Sequence, residues 1–498
     1  MSDGNTSGLQ SFKRGRNGEY ALRGCTASLA TLGVAFMSLA APIYAQDANR
    51  ETSLQLSNPP ESEVLSDGPQ SPAPVDSTFS ASPTGWYDPV TIERLHAMST
   101  KNWGSLAPNL GDSFLGDAGG VRSALADHGI AGVISFAGTQ WQNLLDSPTK
   151  TYGHQVYIGQ KYTAQSTLGI LGTYDLGHIG LAGAQIIVDG NCSVSSYLNV
   201  YGRGCRALDL SFYDSFLRGR VELSAGILPN DVEFVNTYVG GNVNTGPFGP
   251  SAILPAQSGL SQQPGVAPGL NVTYHLNSNW YEKIGVQRSE SPQGLVAEYT
   301  EFNPHGLTFT ESDAKALLID EVGFRQTATS DEFFTYVRMG GLYNWTQYHD
   351  FSTGGTNPNW NAYLLGDRQL SRPDSDLPYR GWYGGFSFME SPSNVNVFRT
   401  YYEARFYDIA PFKSRPADQF DIVATHTLFS GDARQSYIDQ GVYPPQKDTT
   451  SVTLSYAIKP THGVYLIPGL TFTDHPSFIP SPRQGHDLNF FLAFSSRI

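Results

Sequence analysis

Charged side chains sit at alternate positions in several otherwise apolar stretches of the chain: Arg220 and Glu222, Glu321 and Arg325, Arg338, and the run Arg399, Glu403, Arg405. Guanidinium and carboxylate groups present planar donors and acceptors that match neighbouring hydroxyls on a solute. That is binding chemistry, with no bond made or broken. The motifs of bond-making sites do not occur: there is no nucleophile-elbow GxSxG, no HExxH and no phosphate-binding GxxxxGK[ST]. The 11 histidines are scattered without a metal-ligand spacing. Asp374 and Asp376 lie in a proline-rich stretch where solvation explains them. No catalytic residue, metal or cofactor is expected.

Strands are the elements that would position such residues. From Ile130 to Ile498 the hydrophobic pattern has period two, and in a strand the two parity sets face opposite ways. In 396–406, Asn396, Phe398, Thr400, Tyr402, Ala404 and Phe406 oppose Val397, Arg399, Tyr401, Glu403 and Arg405. In 220–227, Val221, Leu223, Ala225 and Ile227 oppose Arg220, Glu222, Ser224 and Gly226. In 318–326, Leu318, Val322 and Phe324 oppose Glu321 and Arg325, with Asp320 a misfit on the apolar side. In 335–345, Thr335, Val337, Met339, Tyr343 and Trp345 oppose Tyr336, Arg338 and Asn344. Alternation alone does not say whether the polar face looks out to water, as in a β-sandwich, or into a lumen. Tyr and Trp at strand ends, at 280–281 and 343–345, favour a lumen with aromatic girdles outside.

The N-terminus predicts export. Lys13, Arg14, Arg16 and Arg23 precede a small apolar run from Ala27 to Ala41, and Ile43-Tyr44-Ala45 follows. This pattern reads as a signal peptide over 1–45, cleaved after Ala45, because the apolar run is shorter than the roughly 20 residues of a spanning helix. Without it the chain keeps 27 basic and 43 acidic residues, a net charge of −16. An acidic exported protein is a poor partner for nucleic acid. Cys25 leaves with the leader. Cys192 and Cys205 remain in a polar segment and read as one disulfide closing an external loop. Residues 46–84, rich in Ser and Pro, read as a disordered arm.

A short helix is expected next, with Val121, Ala124, Leu125 and His128 on one side and Gly129 as its stop. It belongs to a short periplasmic helical or plug region, 85–129, and fits either a helix across a barrel mouth or an ordinary surface helix. The stretch Val239–Pro268, nearly without charge, reads as an external loop; the alternative is a loop folded inward to narrow a pore. At the end of the chain Leu488, Phe490, Leu492, Phe494 and Ile498 share one parity, interrupted by Ser496. Such a tail is the type read by the barrel-assembly machinery. About fifteen strand candidates occupy roughly 370 residues, and the even counts of single-chain barrels round this to sixteen. The fold class expected is all-β: a transmembrane antiparallel barrel over 130–498 with a short N-terminal helical region.

Three stretches carry a resemblance. Gly116-Asp117-Ala118-Gly119-Gly120-Val121-Arg122-Ser123-Ala124-Leu125-Ala126-Asp127-His128-Gly129-Ile130, Ala410-Pro411-Phe412-Lys413-Ser414-Arg415-Pro416-Ala417-Asp418-Gln419-Phe420, and Ser451 to Pro476 with Tyr456, Pro460, Tyr465 and Pro468 resemble, in order and spacing, blocks of the carbohydrate-selective porins of OprB type. The resemblance covers about residues 105–498. Two departures, Ile227 where family members often carry Arg and Thr471 where they usually carry Gln, bear on sugar selectivity. The resemblance implies an outer-membrane channel of a Gram-negative bacterium for passive diffusion of glucose and similar sugars into the periplasm. Small sugars and outer-membrane lipid would be its partners, and a homo-oligomer is compatible with it. On this reading Arg220, Glu222, Glu321, Arg325, Arg338, Arg399, Glu403 and Arg405 line the pore. Two other classes stay open on the residues themselves: a secreted β-rich sugar-binding protein or glycoside hydrolase, and a barrel with a plugged lumen.

Overall fold

The computed structural model describes residues 88–103, 109–145, 155, 157–197, 203–237, 253–476 and 483–498. The signal-peptide and arm expectations, 1–45 and 46–84, fall outside these residues.

Sixteen antiparallel strands form a closed ring. They are β1 (Ile130–Asn143), β2 (Thr163–Asp175), β3 (Gln185–Ser195) and β4 (Gly204–Phe216); β5 (Val221–Leu228), β6 (Ala267–His275), β7 (Trp280–Arg288) and β8 (Ala316–Gln326); β9 (Thr335–His349), β10 (Thr356–Gln369), β11 (Gly381–Glu390) and β12 (Phe398–Ile409); and β13 (Gln419–Phe429), β14 (Asp448–Thr461), β15 (Val464–Asp474) and β16 (His486–Arg497). Each strand pairs with its sequence neighbours, and β1 closes on β16 from Ser135↔Arg497 to Asn143↔Asn489. Closure leaves no unpaired edge, so every ladder can be satisfied inside a bilayer. Connections at one end, such as 217–220, 276–279 and 462–463, are short; at the other, 229–266 and 289–315 are long. Short turns mark the periplasmic end of such barrels and long loops the external end.

The outer wall is apolar because its residues meet lipid. On β9, Val337, Met339, Tyr343 and Trp345 are exposed, while Arg338, Asn344, Thr346 and Tyr348 between them are buried inward. The tail pattern holds: Phe490 faces out, and Asn489, Phe491 and Ala493 face in. Aromatic pairs form the two girdles. Tyr343 and Trp345 lie edge to face (5.1 Å) toward the external end; Trp280 with Phe324 (5.2 Å) and Trp382 stacked on Phe406 (4.5 Å) lie toward the periplasmic end. Asp320 remains on the exposed outward side of β8, as its parity requires. Cys192 and Cys205 face each other across β3 and β4 and form a disulfide beside the external connection 196–203.

Inward side chains are sized to their neighbours. A Cβ on Gly323 of β8 would collide with the ring of Tyr281 on β7, and one on Gly469 of β15 with the ring of Phe491 on β16. Each glycine is the slot into which the next strand's aromatic lies.

The N-terminal segment packs inside the periplasmic mouth. Helix α1 (Pro89–Ala97) starts where the Asp88 carboxylate accepts from Thr91 N (3.0 Å) and Pro89 supplies a helical φ. Leu95, Met98 and Leu110 pack with Ala126 against Ala131, Val133, Leu171, Ile187 and Tyr213 of the inner wall. The Met98 carbonyl accepts from Thr173 (2.7 Å) and Gln185 (3.1 Å), and Asp209 accepts from Asn102 Nδ2 (3.1 Å) and Trp103 Nε1 (2.9 Å). On the other side Asp112 binds Lys459 (2.9 Å), Gly463 N (3.0 Å) and the Tyr465 hydroxyl. The segment thus straps the inner wall from β4 past β1 to the β14–β15 turn. Helix α2 (Val121–Ala126) follows, and Gly129 ends it with φ 78°. Its orientation differs from the pattern expected: Val121 and Leu125 are exposed, while Arg122 and Ala126 are buried. The Arg122 guanidinium decides this, since it binds the carbonyls of Gly116 (2.7 Å) and Leu110 and must turn inward to reach them.

Two outcomes follow. Gly323→Val should overpack the Tyr281 slot and lower barrel stability by about 1–3 kcal/mol, seen as a lower urea midpoint of tryptophan fluorescence in vesicles; an unchanged midpoint would refute the slot. Burial raises the Asp112 carboxyl, but the His462 hydrogen bond, the Lys459 and Arg497 charges and the Tyr465 hydroxyl outweigh it and hold the group well below the ordinary range. A depressed carboxylate stabilises the strap above the unfolded value of about 3.9, and that contribution is lost as pH falls below it. Protease cleavage within 98–116 should therefore rise at pH values below about 3.9 and be high at neutral pH in Asp112→Asn; equal protection of the native strap at both acidities would contradict this.

Candidate permeation path and constriction

The connection between β5 and β6 is rich in apolar residues and poor in charge, and its described parts enter the lumen. Phe234, Val235, Leu254 and Leu260 pack on Leu317, Ile319, Leu342, Leu365, Met389, Phe398, Tyr401 and Phe429. Those wall residues occupy inward positions of β8–β13, where a wet lumen would want polar groups. Apolar residues there need a cover, and the loop is that cover. The reading of 239–268 as an external loop is thus corrected for 253–266; the stretch 238–252 lies outside the described residues.

Neutral groups fasten the loop. Asn230 Nδ2 donates to Gln287 Oε1 (2.8 Å) and its Oδ1 accepts from Asn271 Nδ2 (2.7 Å). Helix α3 (Ile253–Gln257) ends against β9, β10 and β12: Asn344 Nδ2 donates to the Ser258 carbonyl (2.8 Å), and Gln257 binds Phe398. Charged groups hold the other foot, with Arg338 Nη1 donating to Phe234 O (2.5 Å) and Lys283 Nζ to Glu233 O (3.0 Å).

The eight candidate charges separate into three groups. Glu321, Arg338, Glu403 and Arg405 face inward but are buried. Glu321 accepts from the Tyr281 (2.7 Å) and Tyr363 (2.9 Å) hydroxyls, with Arg338 4.0 Å away. Arg405 lies between Asp367 (3.0 Å) and Glu403, whose other oxygen accepts from Tyr401 (2.7 Å). Glu222 and Arg325 also face inward and are partly accessible. Glu222 is 3.0 Å from His275 of β6, and Arg325 lies 5.8 Å from the Tyr336 ring. Arg220 and Arg399 do not face the lumen. Arg220 is exposed in the periplasmic turn 217–220, because β5 begins one residue later. Arg399 is the extra residue of a bulge between Phe398 and Thr400; the bulge resets the parity of β12 and puts Arg399 at the external rim, 3.1 Å from Glu390.

Sequence reasoning passed over the uncharged part of the wall. Thr139 of β1, Gln165 and Thr167 of β2, Thr425 and Thr427 of β13, Thr449, Ser451 and Thr453 of β14, and Thr471 and Thr473 of β15 face inward. Some bond to each other, as Thr453 does to Thr471 (2.9 Å). Hydroxyl residues two apart, Thr425 and Thr427 in β13, Thr449, Ser451 and Thr453 in β14, and Thr471 and Thr473 in β15, were the available signal.

The geometry has the parts of a narrowed channel. The model of the family "Carbohydrate-selective porin, OprB family" matches residues 183–485. The chain belongs to that family. Among solved structures it is similar to the high-pH structure of Pseudomonas putida OprB, at 16% identity and a TM-score of 0.66, over 78% of this chain and 98% of that one. The low-pH structure of the same protein gives 14% identity and a TM-score of 0.48 over the same shares, and the outer-membrane channel DcaP of Acinetobacter baumannii 9% and 0.42, over 74% and 98%. No curated protein sequence matches. This porin is a multi-strand barrel of the outer membrane and a passive, carbohydrate-selective channel. Its closed, apolar-walled ring replaces the alternative of a secreted soluble sugar binder or hydrolase.

The buried ion pairs carry an expected outcome. Arg405→Leu leaves Asp367 and Glu403 without their cation, which should cost about 3–5 kcal/mol. The folded fraction on heat-modifiable gels should fall and should recover in part when Asp367→Asn and Glu403→Gln are added; native-like stability of the single variant would refute the pairing.

Proposed function

We propose that the pore selects neutral monosaccharides, glucose among them, over ions of similar size. The observation that supports this most is the internal pairing of its charge. Arg405 is flanked by Asp367 and Glu403, Arg338 lies beside Glu321 and Lys283 beside Glu233 (3.9 Å), while Glu222 is 3.0 Å from the His275 ring. Paired charges leave little net field for an ion to follow, whereas hydroxyls and amides can exchange hydrogen bonds with a sugar's hydration shell. Glu222 and Arg325 are the candidate contacts at the lumen surface. Arg338 holds the loop at Phe234, and Glu321, Glu403 and Arg405 lie buried in the wall. Thr471, where the family usually has Gln, shortens one side chain of the neutral arc.

On the same reading, 1–45 directs export and 46–84 is the Ser- and Pro-rich arm that follows it. Of the region 85–129, the described residues 88–103 and 109–129 plug the periplasmic mouth, supported by the strap contacts. The strand ending near Ile498 is offered to the barrel-assembly machinery, and the apolar wall accommodates lipid or a second copy of the chain.

Proteoliposome swelling tests the function. Glucose should enter several-fold faster than glucuronate, and a KCl gradient should give a reversal potential near zero. Equal swelling rates, or a potential close to that of one ion, would overturn the proposal.

A further inference from the structure

We infer that Gln257 is the positioning residue that sets the width of the constriction, an inference that rests on the channel reading above. Gln257 ends helix α3. Its Nε2 donates to the Phe398 carbonyl (2.5 Å) and its Oε1 accepts from the Phe398 N–H (3.0 Å). Both hydrogen-bonding groups of one backbone residue are thus met by one side-chain amide, as a neighbouring strand would meet them. Phe398 borders the β12 bulge, and a bulge frees backbone groups that a regular ladder would use. The irregularity that turns Arg399 outward therefore also supplies the docking point.

The place of this contact gives it its leverage. The loop leaves the wall between β5 and β6, and β12 lies six strands further round the ring of sixteen. A segment held at both points runs as a chord across the lumen, and the far end of the chord decides how much passage remains. Around that end the fit is close. Ser258 Oγ contacts Asn359 Oδ1 (3.4 Å), and Asn359 and Asn396 exchange amide bonds (3.0 and 2.8 Å) on the wall behind it. Gly259, at φ 95°, admits no side chain, since a Cβ would strike Asn344, Ser289 and Tyr348. Helix α3 has one seat, and Gln257 is its catch on the far wall. The side chain is itself only partly buried, so replacing it leaves the apolar cluster under Leu254 and Leu260 intact.

Planar-bilayer recording of the full-length channel, native and variant, tests this. Gln257→Ala removes the amide; Gln257→Met keeps its length without it. Two neutral hydrogen bonds correspond to a factor of about 10 in the population of the docked loop. Both variants should show a second, larger conductance level, occupied about tenfold more often than in the native channel. Glucose should block their ion current with a weaker half-saturation, while heat-modifiable migration and urea midpoint stay native. A merely structural role would move those stability readouts and leave the levels unchanged. If the Met variant records as native and only Ala differs, side-chain bulk and not the amide does the work, and the inference fails. It fails also if both variants record as native. Ion current reads the latch without sugar, so a native channel that passes no glucose would refute the function and leave this test standing.

Discussion

A chain inside hydrocarbon has no water to satisfy its peptide groups. That constraint precedes every other feature of this molecule. Sixteen strands closed from β1 to β16 meet it, and closure fixes which parity faces lipid and which faces the lumen. The aromatic girdles, the glycine slots and the apolar tail are consequences of keeping that ring intact. Once it stands, the protein has an enclosed polar space and must decide how much of it to leave open.

It leaves little open, by two physically different means. The N-terminal strap is held by an ionised Asp112 at the periplasmic side and by neutral side chains around Asp209. The β5–β6 loop is held by an apolar cluster and a set of amides, with Arg338 and Lys283 at its foot near β5. Ion pairs such as Arg405 with Asp367 and Glu403 do not face the solute; desolvated and mutually satisfied, they stiffen the wall on which the loop rests. Most of the inward charge serves architecture, and Glu222 and Arg325 are the candidate charged groups that stay partly accessible from the lumen.

The strands were legible because period two is strong where one face meets lipid. Arg338, Glu403 and Arg405 point inward as their parity requires, and Asp320 stays on the wrong-looking side where its parity puts it. Failures came where that arithmetic breaks. One extra residue at Arg399 reversed the parity of everything before it, and no local composition announces a bulge. The inward loop was hidden because its signal lay elsewhere, in Leu317, Ile319, Leu342 and Met389, apolar residues at inward positions awaiting a cover. The helix at 121–126 turned its apolar side out because Arg122 had carbonyls to reach, and carbonyls leave no mark in a sequence. Threonine escaped notice because an uncharged hydroxyl does not stand out against a charged neighbour.

The amides that seat the constricting loop carry no net charge, and this has a bearing on the medium outside the cell. Exposed ion pairs weaken as salt rises, over a screening length of about 10 Å at 0.1 M. Contacts such as Gln257 with Phe398 and Asn344 with Ser258 have no monopole to screen. The charged contacts of Arg338 and Lys283 at the other foot are largely buried, where salt screens little, so the aperture should keep the same cross-section in dilute and in saline surroundings and uptake should follow the solute gradient rather than the ionic strength outside.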